Sequence, residues 1–196
     1  MPHELYLEAR AAAERGDAAH ALDLAGRAYE SDREDADARD LYAALLVARG
    51  IRLSAAAREA RRRDIVRRDI GFDEEFTDSP DVGKAFDEAL EVLDRALLVE
   101  PAHPKAHMMK AALLFRRDRV GSRAVALEIL RGVLAAQPEN RQVLLEIRRT
   151  ETPCERCSDT GFCPHCGGRG VKRFLRIESP CDACHAQGIC LACGLV

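Results

Sequence analysis

The residues with the clearest chemistry are the cysteines, all eight of which lie in the last 43 residues of this 196-residue chain. They form four Cys-x-x-Cys pairs: Cys154 and Cys157, Cys163 and Cys166, Cys181 and Cys184, and Cys190 and Cys193. Two such pairs supply the four thiolates of a tetrahedral zinc site, so four pairs predict two zinc ions. The glycines near the pairs favour this interpretation, because a chain that wraps thiolates around a metal needs positive φ angles and amides directed at sulfur.

The spacing of the pairs favours a nested arrangement over a sequential one. The second and third pairs are 14 residues apart, the ordinary reach of a four-cysteine zinc ribbon, and the first and last pairs lie symmetrically outside them. Sequential pairing would close each site around only five residues and leave residues 167–180 without an anchor. A nested hairpin has an inner set near its turn, Cys163, Cys166, Cys181 and Cys184, and an outer set near its base, Cys154, Cys157, Cys190 and Cys193.

Other uses of the cysteines are disulfide bonding, redox catalysis and iron binding. Residues 1–15 do not resemble a signal peptide, so the chain is predicted to be cytoplasmic, where thiols stay reduced. Thioredoxin-type motifs belong to a βαβ pattern, which the sequence lacks. Iron is an alternative to zinc, because four thiolates also hold iron. His165 and His185 lie beside cysteines but are predicted to be surface residues, since eight thiolates already fill two sites.

The segment CPHCGGRG (163–170) reproduces the unit Cys-x-x-Cys-x-Gly-x-Gly, and CERCSDTG, CDACHAQG and CLACG are degenerate copies of it. Residues 154–194 therefore resemble the cysteine-rich zinc domain of DnaJ-type co-chaperones. In that family the first unit pairs with the fourth and the second with the third, and the resemblance implies binding of non-native polypeptide and assistance to partner chaperones. Asp159 and Ala186 replace the first glycine of their units. A J domain is not expected, because the sequence lacks the His-Pro-Asp loop.

The residues before the cysteines are rich in Ala, Leu, Arg and Glu and are predicted to be helical throughout. Gly16 and Gly50 lie 34 residues apart, and each is predicted to end a helix, over 5–15 and 36–49, and to precede another. Thirty-four residues is the tetratricopeptide period. The region 3–150 therefore resembles a tetratricopeptide array with four copies of uneven quality.

Small residues let two helices lie close together, and the resemblance places alanines at such positions of the array. A capping helix is expected over 139–149, covering the last apolar face. The large aromatic residues at the start of each copy are mostly missing, and the chain has no Trp. Pro101 and Pro138 are predicted to end two helices. The alanines at the close-packing positions are Ala9, Ala21, Ala28, Ala89, Ala96, Ala111, Ala112 and Ala126.

Charge is distributed unevenly between the second and third helix pairs. An acidic loop is predicted over 69–83, where glycines and a proline interrupt the helical pattern. The helix predicted before this loop contains six arginines: Arg58, Arg61, Arg62, Arg63, Arg67 and Arg68. This face is predicted to be solvated and balanced by the acidic loop, with a nucleic-acid surface as the alternative, because the formal net charge of the chain is only −3.

The sequence thus predicts a mainly α protein with two domains. Residues 1–150 form a tetratricopeptide-like array of helical hairpins, an α-solenoid, and residues 151–196 form a small zinc-bound module of β-hairpin and knuckles. Because no run of some 18 apolar residues occurs, neither a membrane span nor a membrane partner is expected. The Ala- and Arg-rich composition indicates a GC-rich, bacterial source.

No enzymatic activity is predicted, because the sequence lacks HExxH, a phosphate-binding Gly-Lys-Ser/Thr loop and Gly-x-Ser-x-Gly. The function expected instead is that of a non-enzymatic adaptor or chaperone-like protein, which binds a polypeptide in its helical groove. Alternatives are a zinc-ribbon nucleic-acid-binding regulator and a thiol/zinc redox switch. A lysine, arginine and asparagine clamp for acidic chaperone tails is not expected, since the chain has one asparagine, Asn140. The apolar residues of VKRFLRI (171–177) are expected to pack against the array or across the hairpin, not to form an exposed client-binding patch.

Overall fold

The computed structural model describes residues 2–68, 77–158, 160–175 and 177–192. Within these ranges the chain forms seven α-helices, one antiparallel β-hairpin and a short 3-10 helix. The helices are α1 (Pro2–Glu14), α2 (Ala18–Ser31), α3 (Ala36–Arg68), α4 (Pro80–Val99), α5 (Pro104–Arg117), α6 (Arg123–Ala136) and α7 (Arg141–Glu151). The strands are β1 (Val171–Phe174) and β2 (Ile177–Pro180), and the 3-10 helix is Asp182–Cys184. The prediction of a mainly helical chain with a small C-terminal hairpin is confirmed.

The helices pack in two rows. Each helix contacts the next one along the chain, and the odd-numbered helices α1, α3, α5 and α7 also contact their odd-numbered neighbours. Among the described residues, α2, α4 and α6 make no such contacts with one another. In the described part of the chain, helices of the odd-numbered row are therefore closer together than helices of the even-numbered row.

Alanines create the close helix contacts, as the sequence predicts. Seven of the eight predicted alanines are fully buried, and Ala112 is half-buried. Larger apolar side chains fill the remaining space in three successive clusters, around Leu46, Phe86 and Leu130. The core thus runs along the array instead of converging on one centre. None of the described helices is long and apolar enough to cross a membrane.

Side-chain caps define where several helices begin. Asp17 caps α2 by accepting a hydrogen bond from the amide of His20 at 3.2 Å, directly after Gly16, which adopts a φ of +83°. Asn140 caps α7 in the same way, accepting from the amide of Val143 at 3.2 Å. The one asparagine of the chain therefore has a structural use at the start of the terminal helix.

The predicted helix boundary at Gly50 is wrong. Helix α3 continues through this residue and is 33 residues long. No side-chain cap of the kind that Asp17 provides follows Gly50, and a Cβ atom there would lie 2.6 Å from Cδ2 of Leu93 on α4. The glycine thus permits close packing of α3 and α4, and the four predicted copies become three helix pairs followed by α7 in the described chain.

Replacing Gly50 by alanine is expected to destabilise the helical array. The added methyl group overlaps the fully buried Leu93, and overpacking typically costs about 1–3 kcal/mol. The gain in helix propensity, up to about 1 kcal/mol, offsets only part of that cost. Urea denaturation measures the change. Gly132→Ala in α6 is the control, because a Cβ there meets nothing within 4 Å and is expected to stabilise the protein.

The acidic loop is shorter than predicted. Helix α4 begins at Pro80, which occupies the first helical position, where its fixed φ and missing amide hydrogen are tolerated. Residues 80–83 are therefore helical, and residues 69–76 lie outside the described residues.

The cysteine-containing module lies against the C-terminal half of α3. Arg62 donates a hydrogen bond from Nη1 to the carbonyl oxygen of Gln187 at 3.3 Å. Gly168 lies beside the fully buried Ile65 of α3 and the buried Phe162 of the module. Strands β1 and β2 contact each other and none of the described helices. The unusual length of α3 therefore provides the surface on which the module sits.

Candidate metal centre

The inner set of four cysteines forms one buried sulfur cluster. The Sγ atoms of Cys163, Cys166, Cys181 and Cys184 all lie within 4.8 Å of one another. The Cys163–Cys181 distance is 4.0 Å and the Cys166–Cys184 distance is 3.8 Å. Four thiolates bound tetrahedrally at a zinc–sulfur distance of about 2.3 Å have sulfurs about 3.8 Å apart, whereas a disulfide bond is about 2.05 Å long. The geometry fits a metal ion and not a disulfide.

Two similar loops build this cluster. In each loop the amide of the second cysteine donates to the carbonyl of the first at 3.3 Å, for Cys166 to Cys163 and for Cys184 to Cys181. A glycine amide four residues later then donates to the second sulfur, and this distance is 3.3 Å in both loops. Amide donors stabilise the negative charge of a thiolate. The donors are Gly170 for Cys166 and Gly188 for Cys184.

Reciprocal backbone contacts hold the two loops together. The amide of Cys163 donates to the carbonyl of Gly188, and the amide of Cys181 donates to the carbonyl of Gly170, both at 2.9 Å. A Cβ atom at Gly170 would lie 2.4 Å from the carbonyl oxygen of Ala186, and one at Gly188 would lie 2.2 Å from that of Gly168. Both glycines are therefore required by the close approach of the loops. Ala186, which stands where the resemblance expects glycine, adopts a left-handed φ of +60°.

The outer set is formed by both ends of the module. The Sγ atoms of Cys154, Cys157 and Cys190 cluster together, and those of Cys154 and Cys190 are 4.0 Å apart. Cys154 is half-buried, whereas Cys157 and Cys190 are buried. Cys193 lies outside the described residues. The described sulfurs are thus arranged as nested sets, and a sequential arrangement is not the one observed.

The inner thiols do not ionise equally. Burial raises the pKa of the Cys184 thiol to about 12, and burial also raises the pKa of Cys163. Burial acts in the same direction on Cys181, but hydrogen bonds from neighbouring thiols leave its pKa below the ordinary value. A divalent cation supplies the positive charge that allows all four groups to be thiolates. Since protons compete with the metal for these sulfurs, metal affinity falls as the pH falls.

Cysteine-only donor sets suit a thiolate-binding metal. The two clusters could each hold one ion, and four-thiolate sites are typical of zinc and of iron. When all four positions are filled by sulfur, the metal has no open position for water or substrate. His165 and His185 are both exposed. Closed four-sulfur sites of this kind are typical of structural metal sites.

Three of the four apolar residues of the hairpin do not pack as the sequence predicts, whereas Val171 is half-buried. Phe174, Leu175 and Ile177 are all largely exposed, because the hairpin contacts no described helix. The basic residues among the apolar residues of VKRFLRI were the available signal for an exposed surface. The composition of so short a segment could not distinguish exposure from burial, because burial depends on which distant residues pack against it.

No protein-family model matches the chain, and no curated protein is significantly similar to it.

A recess lies where α3 meets the cysteine module. Its volume is about 260 Å³, and its walls come from both parts of the chain. The lining combines apolar, basic and acidic groups and includes Gln187, whose carbonyl oxygen accepts the hydrogen bond from Arg62. The lining residues are Ala55, Arg58, Glu59, Arg62, Gln187 and Ile189.

Proposed function

We propose that this protein is a non-enzymatic adaptor or chaperone-like protein that binds a polypeptide partner along its odd-numbered helices. The observation that carries the proposal is the packing of the helices in two unequal rows. In the described chain, helices of the odd-numbered row contact one another, whereas helices of the even-numbered row do not. A layer of helices that bends toward one row has a concave face on that side, and such faces accept extended peptides or partner helices. The tetratricopeptide-like array suggested by the sequence has this design.

The cysteine module supports the partner site in this proposal. Zinc in the two clusters holds the module rigid, and the module lies on α3, which belongs to the concave row. The recess of about 260 Å³ between them places side chains of the array and of the module on one surface. A partner segment that follows the odd-numbered row therefore reaches both parts of the chain.

Ion pairs on α3 favour a protein partner over nucleic acid. Asp64, which is almost fully buried, pairs with both Arg67 and Arg68. Glu59 pairs with Arg62 at 3.0 Å and with Arg63 at 3.9 Å. These carboxylates reduce the positive potential that binding to a phosphate backbone requires. The arginine-rich sequence of this helix therefore does not carry a nucleic-acid function by itself.

A pull-down from native lysate, run with and without nuclease, tests the proposed function. The intact chain is compared with an Ala55→Trp variant, which places a bulky side chain in the recess on the exposed side of α3. The matched control is Ala135→Trp on an exposed position of α6, in the other row. A chain ending at Pro153 keeps α7 complete and removes the module.

We expect one stoichiometric protein to be captured regardless of nuclease, and Ala55→Trp to reduce its capture while Ala135→Trp does not. Loss of capture on truncation assigns part of the partner surface to the module. Circular dichroism and metal content establish that both tryptophan variants are folded. Capture that disappears with nuclease, or that is equally sensitive to both tryptophans, contradicts the proposal.

A further inference from the structure

The free end of the β-hairpin carries three exposed apolar side chains. Phe174 faces Ile177 in the strand register, and Leu175 follows Phe174 in the turn. The exposed fractions are 76% for Phe174, 88% for Leu175 and 70% for Ile177. We call these three residues the hairpin tip. Because the strands contact no described helix, the hairpin tip projects from the cysteine module.

Leu175 is the least expected residue of the hairpin tip. Its φ of +58° lies in the left-handed region, where glycine or asparagine is usual and a bulky side chain is strained. Its side chain is also almost fully exposed to water. Both features cost free energy, and neither is offset by packing within the chain. The two-residue connection between the strands accounts for a positive φ at this position, but not for an exposed leucine there in place of glycine or asparagine.

Basic residues accompany the hairpin tip. Residues 171–180, which span the whole hairpin, contain three basic residues and one acidic residue, Glu178. Lys172 lies 4.0 Å from Asp182, and Arg173 lies 2.5 Å from Glu178. Exposed ion pairs of this kind contribute little stability, so other anions can compete for Lys172 and Arg173. An apolar end flanked by exchangeable cations is complementary to the surface of a bilayer that contains anionic lipids.

The size and chemistry of the hairpin tip argue against other partners. Three side chains of this kind expose roughly 400 Å², whereas a stable protein interface buries about 800 Å² on each partner. Nucleic acid bases stack on aromatic rings, but two of the three side chains, Leu175 and Ile177, are aliphatic. A bilayer accepts a convex apolar end without a matching pocket.

We propose that the hairpin tip inserts reversibly into the interface of an anionic lipid bilayer, with the basic side chains of the hairpin at the phosphate groups. This contact is separate from the partner surface on the odd-numbered helices and does not depend on it. The sequence predicts no membrane partner because it contains no membrane-spanning segment. The exposure of the hairpin tip, which only the structure reveals, points to peripheral binding instead.

Vesicle flotation with the full reduced chain, supplied with zinc, tests this proposal. Vesicles of phosphatidylcholine alone are compared with vesicles that also contain phosphatidylglycerol. Leu175→Gly removes the apolar side chain and relieves the positive-φ strain, so it does not threaten folding. We expect binding to the anionic vesicles and a reduction of about tenfold in the partition coefficient for Leu175→Gly. Leu98→Ala on α4 is the matched control, because Leu98 is 81% exposed, and it is expected to change nothing.

A fluorescence measurement identifies the inserted residue. The chain contains no Trp, so a variant with one introduced tryptophan has a single fluorescent reporter. Phe174→Trp places this reporter at the hairpin tip, and Leu98→Trp places it on α4. With anionic vesicles we expect a blue shift and quenching by brominated lipid for Phe174→Trp only. Absence of vesicle binding, or binding unaffected by Leu175→Gly, overturns the proposal. A blue shift produced by an unfolded polypeptide but not by vesicles also overturns it and assigns the hairpin tip to polypeptide binding.

Discussion

Replacing Cys184 by serine is expected to remove one bound metal ion and to unfold the cysteine module while leaving the helices intact. Cys184 is fully buried, lies 3.8 Å from the sulfur of Cys166 and accepts the amide of Gly188. The module has two short strands and little apolar core, so a metal ion bound by the four thiolates would supply most of its folding free energy. Four-cysteine zinc sites provide about 10–16 kcal/mol at neutral pH, and a three-thiolate site provides much less.

Metal content by mass spectrometry and limited proteolysis measure this effect. The matched variant is Cys154→Ser in the outer set, where the cysteine is half-buried and contributed by the start of the module. We expect it to lose one ion as well but to keep the inner loops protected from protease. Circular dichroism is expected to show unchanged helix content in both variants. Equal proteolysis of the two variants, or an intact chain that binds no metal, contradicts the prediction.

Replacing Arg61 by alanine is expected to produce the largest loss of stability in the helical array. The Arg61 side chain is almost fully buried and forms two bonds to Asp78, from Nε at 2.7 Å and from Nη2 at 2.5 Å. It also donates to the carbonyl oxygens of Arg116 at 2.8 Å and Arg117 at 3.1 Å, at the end of α5. Its guanidinium lies 4.3 Å from the ring centre of Phe86 on α4. One side chain therefore connects α3, α4, α5 and the segment before α4.

Removal of Arg61 leaves the carboxylate of Asp78, which is 19% exposed, and two helix-terminal carbonyl groups without these donors. Breaking a buried ion pair on one side typically costs about 3–5 kcal/mol, which is a large part of the stability of a domain of this size. Urea denaturation followed by circular dichroism measures the change. Arg63→Ala is the control: its side chain is 72% exposed and 3.9 Å from Glu59, so it is expected to cost less than about 1 kcal/mol.

A double-mutant cycle tests the physical reason. When Asp78 is also replaced by alanine, the partly buried carboxylate is removed with its partner, so the loss should be smaller than the sum of the two single losses. If Arg61→Ala destabilises the protein no more than Arg63→Ala does, the buried ion pair does not connect the helices as described. If the two losses of stability are additive, the ion pair with Asp78 does not account for the cost of removing Arg61.

Local chemistry is sufficient to predict a large part of this protein. Helix content follows from composition and periodicity, and the start of α2 follows from the Gly16–Asp17 pair, since both are properties of short segments. The spacing of the described cysteines favours their nested arrangement, because sequential pairing would close each site around only five residues. The buried alanines were likewise predictable, since only small side chains allow close helix packing.

Tertiary structure alone decides the remaining features, because each depends on residues distant in sequence. Gly50 looks like a helix end, but its missing side chain accommodates Leu93 of α4, so α3 continues. Arg61 looks like one of six surface arginines, but Asp78 and the end of α5 meet it in the interior. The hairpin tip looks like a packed strand pair, yet no described helix lies near enough to cover it. A local pattern specifies which side chains share a face, whereas only long-range packing determines what that face meets.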